Sequence, residues 1–447
     1  MKNLTLENLT KVCDGVYFGP SDKLEQEVSS ITTDSRKAEA GTLFVPIVGE
    51  RVDAHKFIPQ VMEAGALATL SERVLDNADF PYIAVESSLQ AVKDIAEFYL
   101  KQLQIPVVGI TGSVGKTTTR EMISTVLASQ KKVFQTIGNQ NSQIGVPLTF
   151  SHLTREDEIA VLEIGMSERG QIEKLTNMIR PNVAVVTMIG VSHIAQLKTQ
   201  ENICLEKMDI VKGLPEDGMV FLNGDDKFLA PYRGKLSHKT FFYGMDKACD
   251  YRAENVHVKD GQTIFHFFYK EGKVIKDMEV VLGTMGEHNV RNALVALGVA
   301  HQMGLDMKAA AKALVTFHGQ RQQMHTLKSC TLIDDTYNAS PASMVAGVNV
   351  LGGFETSGRR IAVLSEMREL GENTLKYHRE VGEKIASEPI NELIVIGDTA
   401  KAIADGARQK NCSYLVHEFD DKMQAAEYLN QNLKAGDVVY LKASNAI

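Results

Sequence analysis

The chain has 447 residues, which is long for one domain and suggests about three. It contains 48 lysine and arginine residues against 56 aspartate and glutamate residues, a net charge of −8, and 44% of its residues are apolar. This composition excludes long disordered segments, and the acidic balance argues against nonspecific binding to nucleic acid or anionic membranes. No apolar run approaches the ~20 residues that cross a bilayer.

The cysteines and the first residues both favour a cytoplasmic protein. The five cysteines are an odd number with no close pair, which predicts neither a disulfide framework nor a zinc site built on paired thiols. The opening MKNLTLENLT has no basic segment followed by an apolar core, so no secretory signal is expected.

Residues 1–104 are predicted to form a mixed α/β domain. TLFVPIV and PYIAVE have the composition of short strands between polar turns. The segment AVKDIAEFYLKQLQ places Val92, Ile95 and Tyr99 on one helical face, which predicts an amphipathic helix at the end of this domain.

Residues 105–317 have the pattern of a parallel α/β domain. The nearly unbroken apolar runs IPVVGI, KVFQT, EIAVLEIG, PNVAVVTMIG and GMVFLNGDD suit strands of a parallel sheet covered on both faces. Between residues 251 and 282 the pattern changes to alternation broken by DG and EG turns, which predicts a small antiparallel insertion. Helices are predicted at NVRNALVALGVAHQMG and MKAAAKALVTF.

Residues 318–447 are predicted to form a third, Rossmann-like domain. TLIDD, RRIAVLSEM, ELIVIGD, YLVHEF and DVVYLKA are candidate strands that alternate with helices such as TLKYHREVGEKIASE and KMQAAEYLNQNL. Because no GxGxxG follows the first strand, a dinucleotide is not indicated.

The segment GITGSVGKTTTREM carries the strongest chemical signal in the chain. Its glycines permit a tight turn whose backbone N–H groups face a triphosphate. Lys116 would reach the β- and γ-phosphates, the Thr117 hydroxyl would bind Mg²⁺, and a helix from Thr118 would direct its dipole at the anion. An isoleucine replaces the first glycine of the general pattern, but the buried strand before the loop favours ATP binding, as in P-loop NTPases. The predicted nucleotide loop comprises Gly112, Ser113, Val114, Gly115, Lys116, Thr117 and Thr118.

Three later residues become candidates once a magnesium nucleotide is assumed. Glu163 ends one predicted strand and His193 follows another, so both are expected above the carboxyl edge of the sheet, where ligands bind in such folds. Lys207 lies in a predicted helix. Each has an ordinary alternative as a solvated carboxylate, a structural histidine or a surface lysine, and spacing alone does not decide between these.

Six motifs, in order, resemble the Mur ligases of peptidoglycan synthesis: TGSVGKTTTRE, GNQNSQIGVPLT, VLEIGMSERGQI, TMIGVSHI with EKMDIVKGLPEDG, GEHNVRNALVAL and LIDDTYNASPASM. The resemblance implies an ATP-dependent amide ligase. It would phosphorylate the carboxylate of UDP-N-acetylmuramoyl-tripeptide, join the acyl phosphate to the amine of D-alanyl-D-alanine, and release UDP-MurNAc-pentapeptide, ADP and phosphate. Its partners would be these small molecules alone, and we expect a monomer.

The resemblance also implies roles for individual residues. Catalytic roles would fall on Lys116, Glu163, His193 and Lys207. Magnesium would be held by Thr117, Glu163, His193 and Lys207, the last as a carbamate made from carbon dioxide and its amine. Further ATP contacts would come from Asn289, Asn292, Arg321 and Asp335. The UDP-linked substrate would meet Asp34, Ser35, Arg36 and Asn141, and the dipeptide would meet Tyr337, Asn338 and Ser340.

The sequence departs from the family pattern mainly at the dipeptide end. Ser142 and Ser340 each replace an asparagine, Ser365 stands where glycine is common, and the chain ends in YLKASNAI where LVKGSR and a further segment are more usual. The alternatives are another Mur-type or folylpolyglutamate-synthetase-like ligase, and a non-catalytic nucleotide-binding paralogue. The DDTYNASP string and the missing Asp-Asn-Pro-Arg signature argue against the first, and the intact set of catalytic residues argues against the second.

Overall fold

A computed structural model of the chain describes residues 1–49, 51–259, 261–327 and 329–444. It contains three sheets, one within each of the ranges 1–104, 105–317 and 318–447, and the three-part α/β fold is confirmed. The domain boundaries themselves stay a prediction. Within the described residues, no helix combines the length and the apolar character that a membrane span requires.

The first sheet has five short strands. They are β1 Val16–Phe18, β2 Ser30–Thr32, β3 Thr42–Phe44, β4 Ala68–Ser71 and β5 Tyr82–Ala84, accompanied by α1 Leu6–Val12, α2 Ile58–Glu63 and α3 Ser88–Leu103. The order across the sheet is β1-β5-β4-β3-β2, and only the β1–β5 pair is antiparallel.

Helix α3 attaches the first domain to the second. Val92 on its apolar face belongs to a buried core that continues into the central domain. The Tyr99 hydroxyl donates a hydrogen bond of 2.9 Å to the carbonyl of Leu153, and the Lys93 amine donates one of 2.9 Å to Gln143 Oε1. The two domains therefore share one continuous apolar core along this helix.

The central sheet has nine strands in the order β14-β13-β12-β11-β10-β9-β6-β8-β7. The strands are β6 Val107–Thr111, β7 Val133–Gln135, β8 Ile159–Glu163, β9 Val183–Val186, β10 Met219–Asn223, β11 Lys239–Gly244, β12 Tyr251–Lys259, β13 Gln262–Glu271 and β14 Val274–Leu282. The helices are α4 Lys116–Ala128, α5 Gly145–Thr149, α6 Gln171–Ile179, α7 Ile194–Leu197, α8 Gln200–Met208, α9 Glu287–Gln302 and α10 Met307–Ala313.

The predicted antiparallel segment extends the central sheet rather than standing apart from it. Strand β12 pairs in parallel with β11, and β13 and β14 continue the same sheet in antiparallel pairing. Strand β11 was not predicted, because only its last three residues are buried and its first half has no apolar pattern. Helix α4 begins at Lys116, two residues before the predicted start.

The third sheet has six strands in the order β15-β16-β20-β17-β18-β19, parallel except for β15. They are β15 Gln323–Thr326, β16 Cys330–Asp335, β17 Arg360–Ser365, β18 Glu392–Ile396, β19 Leu415–Phe419 and β20 Asp437–Lys442, with helices α11 Pro341–Gly352, α12 Thr374–Ile385, α13 Lys401–Gln409 and α14 Lys422–Asn432. Strand β15 escaped prediction because all four of its residues are exposed.

Helices α12 and α13 pack closely through glycine. A Cβ added at Gly382 would lie 1.9 Å from the carbonyl oxygen of Ile403, which forces the helix backbones apart. We expect Gly382→Ala to lower the free energy of unfolding by about 1–3 kcal/mol, measured by urea denaturation. At Gly353 the nearest neighbour of an added Cβ is 3.7 Å away, so Gly353→Ala should change stability by less than about 0.5 kcal/mol. Equal unfolding midpoints for the two variants would contradict this packing.

Candidate active site

A cleft of about 1050 Å³ lies between the central and C-terminal domains. The carboxyl ends of β6 and β8 open into it, in the position where parallel α/β sheets bind ligands, and the end of β16 faces them. Most of the predicted site residues line this cleft: Ser113, Val114, Gly115, Lys116, Thr117, Thr118, Asn141, Glu163, His193, Lys207, Asn289, Asn292, Arg321, Asp335, Tyr337, Asn338 and Ser340.

The loop between β6 and α4 has the geometry expected of a phosphate loop. A Cβ at Gly112 would lie 1.8 Å from the Thr187 hydroxyl oxygen, so only glycine fits there. That hydroxyl donates a hydrogen bond of 2.6 Å to the carbonyl of Val114 and fixes the turn. The Lys116 amine folds back over the loop and donates to the Gly112 carbonyl at 2.9 Å. The buried Ser113 hydroxyl has no hydrogen-bond partner in the described chain, as expected of a group that a bound ligand would satisfy.

A threonine and a glutamate meet beside this loop. The Thr117 hydroxyl donates to Glu163 Oε2 at 3.0 Å, and the Asn141 amide donates to Glu163 Oε1 at 2.8 Å. Glu163 is 2% exposed, so its carboxylate is fixed by these contacts. A hydroxyl and a carboxylate at this separation offer oxygen ligands of the kind that Mg²⁺ prefers.

Two lysines, the buried Lys207 and the half-buried Lys116, approach the same part of the cleft. Burial lowers the pKa of Lys207 well below its ordinary value, and the charge of Lys116 lowers it further. Burial also lowers the pKa of Lys116, while Glu163 opposes that change. Lys207 is 1% exposed, and its amine forms no ion pair with a carboxylate in the described part of the chain. Residues 1–49, 51–259, 261–327 and 329–444 also contain no cluster of three or more His, Cys, Asp or Glu that could hold a metal.

His193 connects the two sides of the cleft. It immediately precedes α7 with a φ of 65°, and its Nδ1 lies 2.8 Å from Glu369 Oε2 of the C-terminal domain. The neighbouring His193 imidazole lowers the pKa of Glu369. Glu369 was not among the predicted site residues, because its role depends on a contact between segments far apart in the chain.

The asparagines of α9 are linked to α4 by side-chain hydrogen bonds. The Thr119 hydroxyl donates to Asn292 Oδ1 at 3.0 Å, and the Asn292 amide donates to Asn289 Oδ1 at 3.3 Å. The Asn289 amide in turn donates to the carbonyl of Met285 at 2.8 Å. Both asparagines are buried, so this chain of contacts fixes them at the edge of the nucleotide loop.

The C-terminal domain contributes an arginine and an aspartate. The Arg321 guanidinium carbon lies 3.6 Å from the centroid of the Tyr337 ring, in cation–π contact. Asp335, at the end of β16, accepts hydrogen bonds from the Tyr440 hydroxyl and the Lys442 amine. Lys442 and Tyr440 were not predicted as site residues, although both lie in the YLKASNAI end, where the family more often has LVKGSR.

The serines that depart from the family pattern have structural partners. Ser340 forms a capping box with Ser343 at the start of α11. The Ser142 hydroxyl accepts a hydrogen bond of 3.1 Å from the backbone of Gly145, and the Ser365 hydroxyl donates one of 3.0 Å to the carbonyl of Ile396. The last three residues of the YLKASNAI end, 445–447, lie outside the described residues.

Asp34, Ser35 and Arg36 do not line the cleft. They lie in the first domain, at a 3₁₀ turn spanning Ser35–Lys37 after β2. The Arg36 guanidinium donates twice to the Asp34 carboxylate at 2.8 Å and lowers the pKa of that group to about 2. Their assignment to the UDP-linked substrate stays a prediction.

Arg120 is a structural residue of the site that sequence analysis missed. It is 1% exposed and donates to the carbonyls of Thr136 and Gly138, each at 3.0 Å. These contacts hold the loop that carries Asn141 against α4. An arginine on a helix next to a phosphate loop is normally taken for a surface charge, so the sequence carries no signal of this role.

Titration of His288 in the cleft should make stability depend on pH. Burial lowers the pKa of His288 to about 4 from an ordinary 6.5. Between these values the unfolded chain binds a proton there that the folded chain does not, so the free energy of unfolding should fall as the pH drops. We expect a loss of about 2–3 kcal/mol between pH 7 and pH 4 that His288→Gln removes. Urea unfolding across that range measures it, and identical pH profiles for both proteins would contradict it.

The phosphate loop and the three α/β domains agree with the family comparisons. Three family models match in order: the Mur ligase family catalytic domain at residues 27–109, the Mur ligase middle domain at 110–300, and the Mur ligase glutamate ligase domain at 320–445. The chain belongs to the Mur ligase family.

Relatives of known name resemble the chain over its full length. The UDP-N-acetylmuramoyl-tripeptide--D-alanyl-D-alanine ligase of Bacillus subtilis is 35% identical, covering 99% of this chain and 96% of its own. A crystal structure of MurF from Acinetobacter baumannii matches with a TM-score of 0.90 at 27% identity, covering 99% of this chain and 96% of its own. The MurF ligase of Thermotoga maritima in complex with ADP matches with a TM-score of 0.83 at 29% identity, covering 93% and 94%.

Proposed function

We propose that the chain is an ATP-dependent ligase that joins D-alanyl-D-alanine to UDP-N-acetylmuramoyl-tripeptide through a new amide bond. The observation that carries this proposal is the cleft in which Lys116, Thr117 and Glu163 of one domain face Arg321 and Asp335 of another. The names of the relatives support the choice of substrates.

The first step of the reaction brings two anionic groups together, the carboxylate of the tripeptide and the triphosphate of ATP. The terminal carboxylate of the tripeptide attacks the γ-phosphorus of ATP and displaces ADP, which gives an acyl phosphate. The amine of the dipeptide then attacks the acyl carbon and loses a proton, and the tetrahedral intermediate expels phosphate. Since carboxylate and triphosphate repel each other, catalysis depends on positioning and on positive charge. Lys116 supplies that charge from the loop, and Arg321 supplies it from the facing domain.

Magnesium fits the oxygen ligands beside the loop. Thr117 and Glu163, whose side-chain oxygens are 3.0 Å apart, would hold one ion. When bound, the ion would neutralise charge on the β- and γ-phosphates. We propose His193 and Lys207 at a second ion. The His193 Nδ1 already faces Glu369, so Nε2 is the ring nitrogen that remains for a metal.

Lys207 is suited to be a carbamate. A buried ammonium next to Lys116 is unfavourable, and the lowered pKa of Lys207 favours the neutral amine over the cation. Such an amine adds to carbon dioxide with release of a proton, which forms an N–C bond and converts a cation into an anionic oxygen donor. That donor would compensate for the scarcity of carboxylates around the site in the described residues.

The remaining site residues are assigned to ATP, to the dipeptide or to the UDP-linked substrate. We propose that Asn289 and Asn292 contact adenine, that Arg321 contacts phosphate and that Asp335 contacts the ribose. The dipeptide would lie near Tyr337, Asn338 and Ser340, and the UDP-linked substrate near Asp34, Ser35, Arg36 and Asn141. Because one chain supplies all of these groups, we propose that a monomer is active.

Phosphate release with substrates varied one at a time tests the function. The purified protein should release phosphate from ATP only when UDP-MurNAc-tripeptide and D-alanyl-D-alanine are both present, with pentapeptide product detected by mass. Turnover with a single amino acid in place of the dipeptide would identify another ligase of the same family. Nucleotide binding without turnover under any combination would identify a non-catalytic paralogue.

A further inference from the structure

A buried ion pair closes the C-terminal side of the cleft. Asp335 and Lys442 are directly paired residues of the parallel strands β16 and β20. The Lys442 amine donates to Asp335 Oδ2 at 2.6 Å, and the Tyr440 hydroxyl donates to the same oxygen at 2.8 Å. Lys442 is 4% exposed and Asp335 is 6% exposed. A buried pair of this kind costs desolvation, so it is weak evidence for a purely stabilising role.

The two carboxylate oxygens of Asp335 have different surroundings. Both donors lie on Oδ2, whereas Oδ1 accepts no hydrogen bond from any described residue. Asp335 and Lys442 both line the cleft. The carboxylate is therefore held by one oxygen and offers the other to a ligand donor such as a hydroxyl.

A second cation, Arg321, also faces Asp335. The Arg321 guanidinium lies over the ring of Tyr337 at 3.6 Å and makes no ion pair among the described residues. Burial lowers the pKa of Arg321, and Asp335 is the carboxylate that most strongly opposes this change. With Lys442 in place, the charge of Asp335 is compensated. Without it, Arg321 is the cation available to pair with Asp335.

We infer that Lys442 is a positioning residue of the nucleotide site: it holds Asp335 Oδ2, directs Oδ1 at a ribose hydroxyl, and leaves Arg321 free for phosphate. The inference rests on the proposed function, which places the ribose at Asp335. Strand β20 would thereby take part in nucleotide selection through Lys442.

Ribose discrimination tests this role. For the unaltered protein, kcat/KM is measured with ATP, with 2′-deoxy-ATP and with 3′-deoxy-ATP. We expect kcat/KM for ATP to exceed that for at least one of the two analogues by about tenfold or more. Lys442→Met should bring that ratio close to one and raise the KM for ATP, while Lys442→Arg should restore most of the ratio. The exposed Lys410→Met is the control and should retain it. A purely structural role would lower activity with all three nucleotides alike and leave the ratio unchanged, which would overturn the inference.

A double variant tests the competition for Arg321. Lys442→Met should lower kcat as Arg321 turns to Asp335. In Asp335→Asn/Lys442→Met, kcat should return to that of Asp335→Asn alone because no free carboxylate remains. A double variant no faster than Lys442→Met would contradict the competition.

Calorimetry separates this inference from the proposed function. The affinities for ATP and for the two deoxy analogues are measured on the unaltered protein and on Lys442→Met. Their ratio reports ribose discrimination even when no ligase turnover occurs. Equal affinity of the unaltered protein for all three nucleotides would overturn the inference even if the ligase reaction is observed.

Discussion

Replacement of Lys116 by alanine is expected to lower turnover at least about 10²–10³-fold. Its amine is the only cation of the loop itself, and it lies 2.9 Å from the Gly112 carbonyl, over the turn that would hold the phosphates. The transferred phosphoryl group gains stabilisation from positive charge in the transition state, so the loss should appear in kcat as well as in the affinity for ATP.

The measurement is phosphate release with both substrates at saturation. Lys131→Ala is a matched control, because this lysine lies just beyond the end of α4, is 47% exposed, and pairs with Glu158 at the surface. The control should retain full activity. A Lys116→Ala enzyme of near-normal rate would contradict the assignment of the loop.

Replacement of Lys207 by alanine is expected to cause a loss of similar size that added carboxylate partly reverses. The substitution removes a buried side chain that is 1% exposed and leaves a space next to Lys116. If the native group is a carbamate, the missing function is an anionic oxygen. Formate or acetate can enter the space and supply it, so activity should rise with the concentration of either and saturate.

Two controls make this prediction specific. Lys212→Ala removes an exposed lysine that pairs with Glu173 and Asp209, and this control should keep its rate and ignore added carboxylate. Chloride at equal ionic strength should not rescue Lys207→Ala. Full activity of the unrescued variant, or a loss that no small carboxylate relieves, would refute the carbamate.

The nucleotide side of the site was predictable because its signals are local. A buried strand, two glycines and a Lys-Thr pair at the start of a helix determine the loop geometry within ten residues of each other, and β6 and α4 follow that pattern. Glu163 lines the cleft, since a residue that ends a central parallel strand has to emerge at the carboxyl edge of the sheet, and its role at a metal ion stays a prediction.

The contacts across the cleft were not predictable, because they join segments far apart in the chain. The pairing of His193 with Glu369 depends on how two domains are arranged, and that of Asp335 with Lys442 depends on which strands are neighbours in the third sheet. Arg120 is hidden for a different reason. Its two carbonyl partners are backbone groups, which leave no mark on the sequence. Strands β11 and β15 were missed because too few of their residues are buried to produce a pattern.

We propose that a triphosphate binds at residues 112–117, between the central and C-terminal domains. A crystal structure with a nonhydrolysable ATP analogue and Mg²⁺ would test this binding site. We expect phosphates against the backbone of the loop, Lys116 at the β- and γ-phosphates, and the metal ion at Thr117 and Glu163. A nucleotide bound in any other place, with this loop empty, would contradict it.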